Sequence, residues 1–273
     1  MKQLDSYSIL IVGNYLHSSQ DYINLIQVCK KFELSLDKYR YNPIPITSTK
    51  LFPLMETQYL YDSKEKRCED VELYKINYPI SYSEYLKCMK QDNIKVRTVY
   101  FQREDIMNFN GIFPEEVHSL KANCFKHNRS INSLIIPSTI TSIGMSCFHI
   151  CSNLQNIQLS PTMKIIPKNC FEGCWMLESI TIPSSITCIE KEAFSKCVSL
   201  STLCIPNSVV SLGYHCFDFC TSLSNLTLPN IYSSCSTFES LINCFNKCSS
   251  LKRIQFEKNG ELFSFSVDLN NIK

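Results

Sequence analysis

The chain has 273 residues, enough for one large domain or two small ones, and 44% of them are hydrophobic, which is ample for a core. Its formal net charge is +2, from 14 basic and 12 acidic side chains in residues 1–100 and 13 of each kind in residues 101–273. Neither part has the basic excess that nucleic acid or an anionic membrane surface requires, and no apolar run is long enough for a membrane-spanning helix.

The first residues show no pattern typical of a secretory signal. The apolar stretch from Ile9 to Val12 is too short for the core of a signal peptide, and no small-residue cleavage site follows it. Sixteen cysteines would indicate disulfides in a short secreted chain. Without a signal peptide we expect reduced thiols packed as small apolar groups, in a cytoplasmic protein.

Residues 1–92 are predicted to form a small, mainly helical N-terminal module. The apolar residues at helical spacing are Ile9, Val12, Leu16, Ile23, Ile26 and Cys29. We expect two helices here, with Asp21 capping the second. Three prolines between Asn42 and Pro53 break any helix, and Ser81–Lys90 suits a short helix capped by Ser81 or Ser83.

The segment Tyr7–Phe32 carries a second pattern. Its parts are Tyr15-Leu16, Asp21, Leu25 and the run Val28-Cys29-Lys30-Lys31-Phe32. The segment resembles the later part of an F-box, although Asp5 replaces the early proline and the spacing from Leu16 to Val28 is one residue longer. This resemblance implies apolar side chains exposed to an adaptor of a ubiquitin ligase. The alternative is a helical cap on the repeats that follow.

A period of 23 residues governs the chain from about residue 113 to residue 256. Cys-Phe-x-x-Cys or a close variant recurs with its first residue at Cys124, Cys147, Cys170, Ala193, Cys216 and Cys244, where the last interval is 28 residues. A proline precedes this element, and an apolar triplet Leu-x-x-Ile-x-Ile follows it. The triplet predicts a short strand with one buried face, and Cys-Phe-x-x-Cys predicts about one helical turn.

One such unit cannot bury its apolar face alone, so the units must stack. Stacking predicts a column of phenylalanines at Phe125, Phe148, Phe171, Phe194, Phe217 and Phe245. The unit from Ser199 through Pro206 and Gly213 to Cys220 resembles the BspA-like leucine-rich repeat family, with cysteine in place of the usual alanine before phenylalanine. The resemblance implies a solenoid for adhesion or protein–protein contact. It also implies the cell surface as an alternative location, because many members are displayed there.

We therefore predict an α/β-type leucine-rich repeat solenoid of short parallel strands and single helical turns over residues 93–273. Its repeats span about 113–256. Asn259-Gly260 lies between two alternating apolar stretches, which is a strong hairpin signal, so residues 254–267 are predicted to form a C-terminal hairpin cap.

Cysteine pairs four residues apart are the main candidates for chemistry, since two thiolates can bind zinc or act in redox reactions. The pairs share the period of the phenylalanines, however, and Ala193 replaces one member. A buried packing role explains such a replacement better than a ligand role does. His215, Cys216 and Asp218 contain the elements of a nucleophile and base, but adjacent side chains point apart. No known catalytic motif is present. We expect no enzyme activity, no cofactor and no metal, with a thiol-rich redox or zinc protein as an alternative.

The strand positions between buried residues face outward and form the first candidate binding site: Gln158, Thr181, Cys204, Thr227 and Gln255. This surface is neutral and rich in hydroxyl groups, which suits a protein partner and not a phosphate backbone. The alternative is a polar ladder that only keeps the sheet soluble. A five-residue insertion, located around residues 231–239 together with Tyr232 and Phe238, is the second candidate. The sequence leaves the partner and the oligomeric state undetermined.

Overall fold

The computed structural model describes residues 8–28, 36–69, 71–229, 244–258 and 261–266. The chain divides into two compact units, Met1–Val99 and Tyr100–Lys273. The division falls a few residues after the boundary between residues 92 and 93, which stays a prediction.

The N-terminal unit combines helices with a small sheet. Among its described residues the α-helices are α1 (Ser8–Gly13), α2 (Ser19–Val28) and α3 (Tyr82–Cys88), and the strands are β1 (Thr57–Leu60), β2 (Leu73–Ile76), β3 (Ile80–Ser81) and β4 (Ile94–Val96). β1, β2 and β4 form a parallel sheet in that order. Thr57 pairs with Leu73 and Tyr74 with Ile94, so the intervals are 16 and 20 residues. The unequal intervals explain why the sequence analysis, which relied on a fixed period, did not predict this sheet.

Two of the helices are capped at their N-termini by hydrogen bonds that involve Ser and Asp side chains. Ser81 caps α3, as predicted, and its hydroxyl accepts a hydrogen bond from the Glu84 N–H at 3.2 Å. Asp21 lies inside the first turn of α2. Its carboxylate accepts the Ser18 N–H at 2.9 Å, while the Ser18 hydroxyl accepts the Asp21 N–H at 3.2 Å. The two residues form a reciprocal capping box, so Ser18 and not Asp21 is the cap.

The core of the N-terminal unit holds two fully buried amide side chains. Asn42 donates to the carbonyl oxygens of Ile44 and Tyr59 at 2.9 and 2.7 Å and accepts the Tyr59 N–H. Gln58 donates to the Lys66 carbonyl at 3.0 Å and accepts the Cys68 N–H at 2.8 Å. Because each amide is hydrogen-bonded on both sides, its burial carries no desolvation penalty from an unpaired group.

The second unit contains two sets of short strands that alternate along the chain. The first set is β7 (Ser133–Ile135), β9 (Asn156–Gln158), β11 (Ser179–Thr181), β13 (Thr202–Cys204), β15 (Asn225–Pro229), β16 (Arg253–Lys258) and β17 (Glu261–Ser266). The second is β5 (Val99–Phe101), through which the chain enters this unit, with β6 (Val117–Leu120), β8 (Ser142–Ile143), β10 (Ile165–Ile166), β12 (Cys188–Ile189) and β14 (Ser211–Leu212).

The first set forms a seven-stranded sheet in the order β17-β16-β15-β13-β11-β9-β7. From β7 to β16 the pairs are parallel and in register with the repeat, for example Ile180 opposite Ile157 and Leu226 opposite Ile254. In the second set β6 pairs with β8, and β12 lies between β10 and β14, again in parallel. This confirms the predicted parallel-strand solenoid.

The predicted phenylalanine column runs through the unit. Neighbouring rings from Phe125 to Phe245 have centroids 5.3 to 5.4 Å apart and planes within 12° of parallel. At the start of the column, Phe101, Phe109 and Phe113 surround Phe125 at 5.4 to 6.3 Å. These three rings cover the first ring of the column, as the end of a stack requires.

The Cys-Phe-x-x-Cys segments form linked turns and not the predicted regular helical turn. The residue before the first cysteine and the second residue after phenylalanine have positive φ, as at Asn169 (55°) and Gly173 (71°). The backbone N–H groups of Asn169, Phe171 and Gly173 donate to carbonyl oxygens of the next repeat at 2.8 to 3.1 Å. The turns therefore add a third hydrogen-bonded ladder to the solenoid.

β16 and β17 form the antiparallel pair at the C-terminal end of the sheet, with Arg253 opposite Ser266 and Lys258 opposite Glu261. The pair overlaps the segment 254–267, for which a terminal hairpin is predicted, and begins one residue before it. Val267, the last residue of that segment, lies outside the described residues.

Candidate functional site

The solvent side of the seven-stranded sheet is the candidate binding surface, and we call it the outer strand face. In β7, β9, β11 and β13 the middle residue is buried and the two flanking residues are exposed. This alternation follows from the two-residue period of a strand. The outer strand face consists of Ser133, Ile135, Asn156, Gln158, Ser179, Thr181, Thr202, Cys204, Asn225, Thr227, Arg253 and Gln255.

The central part of this face is shallow, polar and almost uncharged. A depression of about 370 Å³ lies over β11, β13 and β15, and Thr181, Thr202, Cys204 and Thr227 are among its lining residues. Arg253 is the only charged member of the outer strand face. Side chains of this kind donate and accept hydrogen bonds without the desolvation cost of buried charge.

The face becomes apolar towards β7. Ile135 is 61% exposed, and Ile112 nearby is 74% exposed. Both line a second depression of about 380 Å³ together with Phe113 and Pro137. Ile112 is not among the site residues predicted from the sequence. The signal was present, because Ile112-Phe113-Pro114 has the same pattern as Ile135-Ile136-Pro137, one repeat later.

The structure brings five of the sequence-predicted site residues onto one surface. Gln158 pairs with Thr181 across the sheet, and Thr227 pairs with Cys204 and with Gln255. Gln158, Thr181 and Cys204 are exposed, and Thr227 and Gln255 are half-buried. Tyr232 and Phe238, the candidates in the insertion, lie outside the described residues. A binding role for any of these residues stays a prediction.

The cysteines that follow phenylalanine form one column, the second cysteine column, in the core. It consists of Cys151, Cys174, Cys197, Cys220 and Cys248, all 0 or 1% exposed. Each thiol donates a hydrogen bond to the carbonyl oxygen of a phenylalanine in the preceding repeat, at 3.0 to 3.2 Å. Burial raises the pKa of Cys151 and of Cys248 to about 12. These thiols are therefore protonated hydrogen-bond donors at neutral pH.

The cysteines that precede phenylalanine form the first cysteine column: Cys124, Cys147, Cys170, Cys216 and Cys244, with Ala193 in the fourth repeat. All are at most 3% exposed. Contact with the Cys147 thiol, followed by burial, raises the pKa of Cys124. That Ala193 fits the same place supports a packing role for the column.

The trio His215, Cys216 and Asp218 does not assemble as a nucleophile and base. His215 Nδ1 lies 2.5 Å from Asp218 Oδ2, whereas Cys216 is fully buried in its column. The Cys216 thiol contacts Cys244 instead. Asp218 also accepts the backbone N–H of Asn246 at 3.1 Å, and burial raises its pKa. These contacts join two repeats at the surface formed by the Cys-Phe-x-x-Cys turns, which we call the turn surface.

The turn surface carries a polar network that the sequence analysis missed. Glu172 accepts hydrogen bonds from Lys196 Nζ at 2.8 Å and from Asn169 Nδ2 at 2.6 Å. His149 Nε2 lies 3.4 Å from Glu172 Oε2, the oxygen that also accepts Asn169 Nδ2. Because these residues come from three consecutive repeats, spacing in the sequence alone gives no signal for the network beyond the shared period.

Within the described ranges, no three or more His, Cys, Asp or Glu side chains are grouped so that they could hold a metal ion. No helix in the same part of the chain combines the length and the apolar character needed to cross a bilayer.

Comparison with known proteins agrees with this architecture. A family model described as BspA type leucine rich repeat region matches residues 89–186 and 164–272, with six copies, which is more than half of the chain. The chain belongs to the BspA-type leucine-rich repeat family. A search among curated proteins finds no match.

Solved structures similar to this BspA-type chain are bacterial repeat proteins. The leucine-rich repeat protein of T. pallidum is 24% identical, with 57% of this chain and 68% of that chain covered and a TM-score of 0.45. A leucine-rich repeat protein of Bacteroides ovatus is 18% identical (75% and 56% covered, TM-score 0.41). A leucine rich cell surface protein of Faecalibacterium prausnitzii is also 18% identical (78% and 58% covered, TM-score 0.39). The chain thus spans somewhat over half the length of the last two.

Proposed function

We propose that this BspA-type chain is a non-enzymatic binding scaffold for adhesion or protein–protein contact, and that the outer strand face is the surface that contacts the partner. The observation that carries the proposal is the alternation of burial along β7 to β13, which presents two columns of exposed side chains in register, uncharged throughout and apolar at Ile135. Solenoid proteins commonly bind with such an extended sheet surface.

The chemistry of the face favours a protein partner. Its hydroxyl and amide groups match the hydrogen-bonding groups of a peptide backbone, and Ile112 with Ile135 provides exposed apolar area at one end. With one charged residue, Arg253, the face has no cluster of cations for phosphates. A protein interface of this kind combines an apolar anchor with a polar surround.

The test uses charge insertion in the full-length protein. Thr181→Lys and Thr227→Lys place ammonium groups in the centre of the face, and we expect each to weaken capture of a partner in pull-down experiments, because an unpaired charge would have to lose its water. Thr187→Lys is the matched control. It lies in another column of exposed residues, where the preceding repeat already has Lys164. A partner retained equally by all three variants would place the binding site elsewhere.

A second candidate function rests on α1 and the turn that follows it. Ile11, Val12 and Tyr15 are 52%, 36% and 75% exposed, so this segment presents apolar side chains to solvent. That supports a docking surface for a ubiquitin-ligase adaptor, which the F-box resemblance implies. Ile11→Asp with Tyr15→Asp in the full-length chain should abolish co-purification with such an adaptor. If the unmodified chain does not co-purify with it, this candidate is removed.

A further inference from the structure

β7 is an edge strand of the seven-stranded sheet. On one side it pairs with β9, where Leu134 lies opposite Ile157. Among the described residues no strand pairs with its other side, whereas every strand from β9 to β16 has a neighbour on both sides. An unpaired strand edge presents backbone N–H and C=O groups that can pair with another chain.

The hydrogen bonds between β7 and β9 show which backbone groups face the unpaired edge. The Ile136 N–H, directly after β7, donates to the Gln158 carbonyl oxygen at 2.9 Å. Alternate residues of a strand direct their backbone groups to opposite edges, so the N–H and C=O groups of Ser133 and Ile135 face away from β9. Within the described residues, no backbone hydrogen bond joins Ser133 or Ile135 to the segment that precedes β7.

The segment one repeat earlier leaves this edge uncovered because its backbone turns at Gly111. The 23-residue period would place residues 110–112 beside residues 133–135. Gly111 has a φ of 95°, a conformation that glycine adopts without steric cost. The Asn110 side chain holds the turn by accepting the Ile112 N–H at 3.2 Å. A Cβ atom at Gly111 would meet no other part of the chain within 4 Å, so the turn borders open space.

The depression of about 380 Å³ lies between this turn and β7, and we call it the β7 slot. Ile112 and Phe113 line it from the turn, and Ser133, Leu134 and Ile135 line it from the strand. None of these side chains is charged. The volume lies within the range of about 300–1,000 Å³ that is usual for ligand pockets. The slot therefore combines room for a ligand, apolar walls and an unpaired backbone edge.

We propose that the β7 slot binds a short extended segment of a protein partner, which adds a strand to the sheet along Ser133 and Ile135. The edge carries alternating partial charges on its N–H and C=O groups, and another extended backbone complements them. The apolar walls suit an uncharged segment, because a charged side chain would lose its water there without gaining a partner. The inference goes beyond the proposed function, since it concerns the edge of the sheet, and it would hold even if the central part of the outer strand face bound nothing.

The probe is the capped tetrapeptide Gln-Asn-Ile-Gln, residues 155–158 of this chain, titrated into the isotope-labelled full-length protein and followed by NMR. It is uncharged and contains β9, which pairs with strands of this sheet on both sides. It ends there because the next residue, Leu159, corresponds in the repeat to Phe113, which is already buried in that place. We expect the amide resonances of β7 and of Gly111 to shift. Unchanged β7 resonances at the highest soluble peptide concentration would overturn the proposal.

Two methylated analogues of the peptide separate strand addition from binding through side chains alone. One carries an N-methyl group on the amide of its asparagine, and the other carries it on the amide of its isoleucine. A strand directs these two neighbouring N–H groups to opposite edges, so only one of them can face β7, whichever way the peptide runs. We expect one analogue to bind at least about tenfold more weakly than the parent peptide and the other to bind like it. Equal affinities of the two analogues would contradict strand addition.

Three variants of the protein locate the site. Ile135→Lys should abolish peptide binding, because it puts an unpaired ammonium group in the β7 slot. Gln158→Lys is the matched control, since it replaces the residue opposite Ile135 in the next strand, and it should bind the peptide like the native protein. Both positions are exposed, so both variants should fold, which an unchanged Tm verifies.

Thr181→Lys tests the outer strand face separately and should also keep peptide binding. Loss of binding in Thr181→Lys but not in Ile135→Lys would assign the peptide to the outer strand face and overturn the proposal. Self-association of the native protein that Ile135→Lys abolishes would assign the edge to a second copy of the chain, which overturns it as well.

Discussion

The thiol of Cys174 donates a hydrogen bond to the backbone carbonyl oxygen of Phe148, 3.2 Å away in the preceding repeat. The sulfur is fully buried, and burial raises its pKa well above the usual range. The same contact recurs up the second cysteine column. A cysteine at this place therefore has two functions in the fold: it fills space in the core, and its thiol is a second donor to a phenylalanine carbonyl that already accepts a backbone N–H of its own turn, as Phe148 accepts the Cys151 N–H at 3.1 Å.

Replacing Cys174 with alanine should destabilise the protein by about 1–3 kcal/mol, because the Phe148 carbonyl loses its thiol donor and a small cavity is left. Cys170→Ala is the matched comparison and should cost less, since Ala193 fills the equivalent place in the next repeat. Urea unfolding in reducing buffer measures both changes. A larger loss for Cys170→Ala would contradict the role assigned to the second column.

Replacing a ring at the centre of the phenylalanine column should strongly lower the free energy of unfolding. Phe171 is fully buried between Phe148 and Phe194, at centroid distances of 5.4 and 5.3 Å. Phe171→Ala should cost about 3–5 kcal/mol of unfolding free energy. Phe219→Ala is the control, because that ring is 42% exposed, and its effect should stay within about 0.5 kcal/mol. Similar midpoints for the two variants in chemical denaturation would show that the column does not hold the repeats together.

Gly213 permits a close approach of two backbones. A Cβ atom at this position would lie 2.2 Å from the Lys191 nitrogen, closer than real Cβ contacts allow. Gly213→Ala should therefore force a backbone shift and cost roughly 1–3 kcal/mol. Ser211→Ala, at an exposed site in the strand that immediately precedes Gly213, should change the unfolding midpoint little. Equal stability of Gly213→Ala and the native protein would show that the backbone relaxes freely.

His149, in the polar network of the turn surface, should make the stability of the protein depend on pH. Burial lowers the pKa of His149 from its ordinary 6.5, although Glu172 opposes the shift. The folded state thus binds this proton less readily than the unfolded chain, and stability should fall as the pH drops through about 6.5, until the lower folded pKa is reached. Glu172 stays charged in this range: burial raises its pKa, but hydrogen bonds from Lys196 and Asn169 lower it overall.

His149→Gln should accordingly show a smaller decrease in Tm between about pH 7.5 and about pH 5.5 than the native protein. His17→Gln, at an exposed site in the N-terminal unit, serves as the control and should keep the native pH dependence. Thermal unfolding at the two pH values gives the comparison. An unchanged difference in Tm for His149→Gln would rule out this histidine as its source.

In the N-terminal unit, local features could be predicted from the sequence, but the pairing of strands could not. The short helix capped by Ser81 was predictable, because capping depends on neighbouring residues. The sheet of β1, β2 and β4 was not, because pairing of Thr57 with Leu73 and of Tyr74 with Ile94 depends on contacts between distant segments at unequal intervals. The buried amides of Asn42 and Gln58 became explicable only once those strands were in place.

In the repeat unit the sequence by itself determined the period, the buried columns and the outer strand face, because stacked copies of one motif bury equivalent positions together. The tertiary structure decided how the sulfurs are used. The thiols of the second cysteine column reach phenylalanine carbonyls because residues with positive φ, such as Asn169 and Gly173, shape the turns. The Cys-Phe-x-x-Cys motif does not reveal these φ angles, so the contact could not be predicted from it. Cys216 meets Cys244 across an irregular interval of 28 residues because strand pairing and ring stacking restore the register.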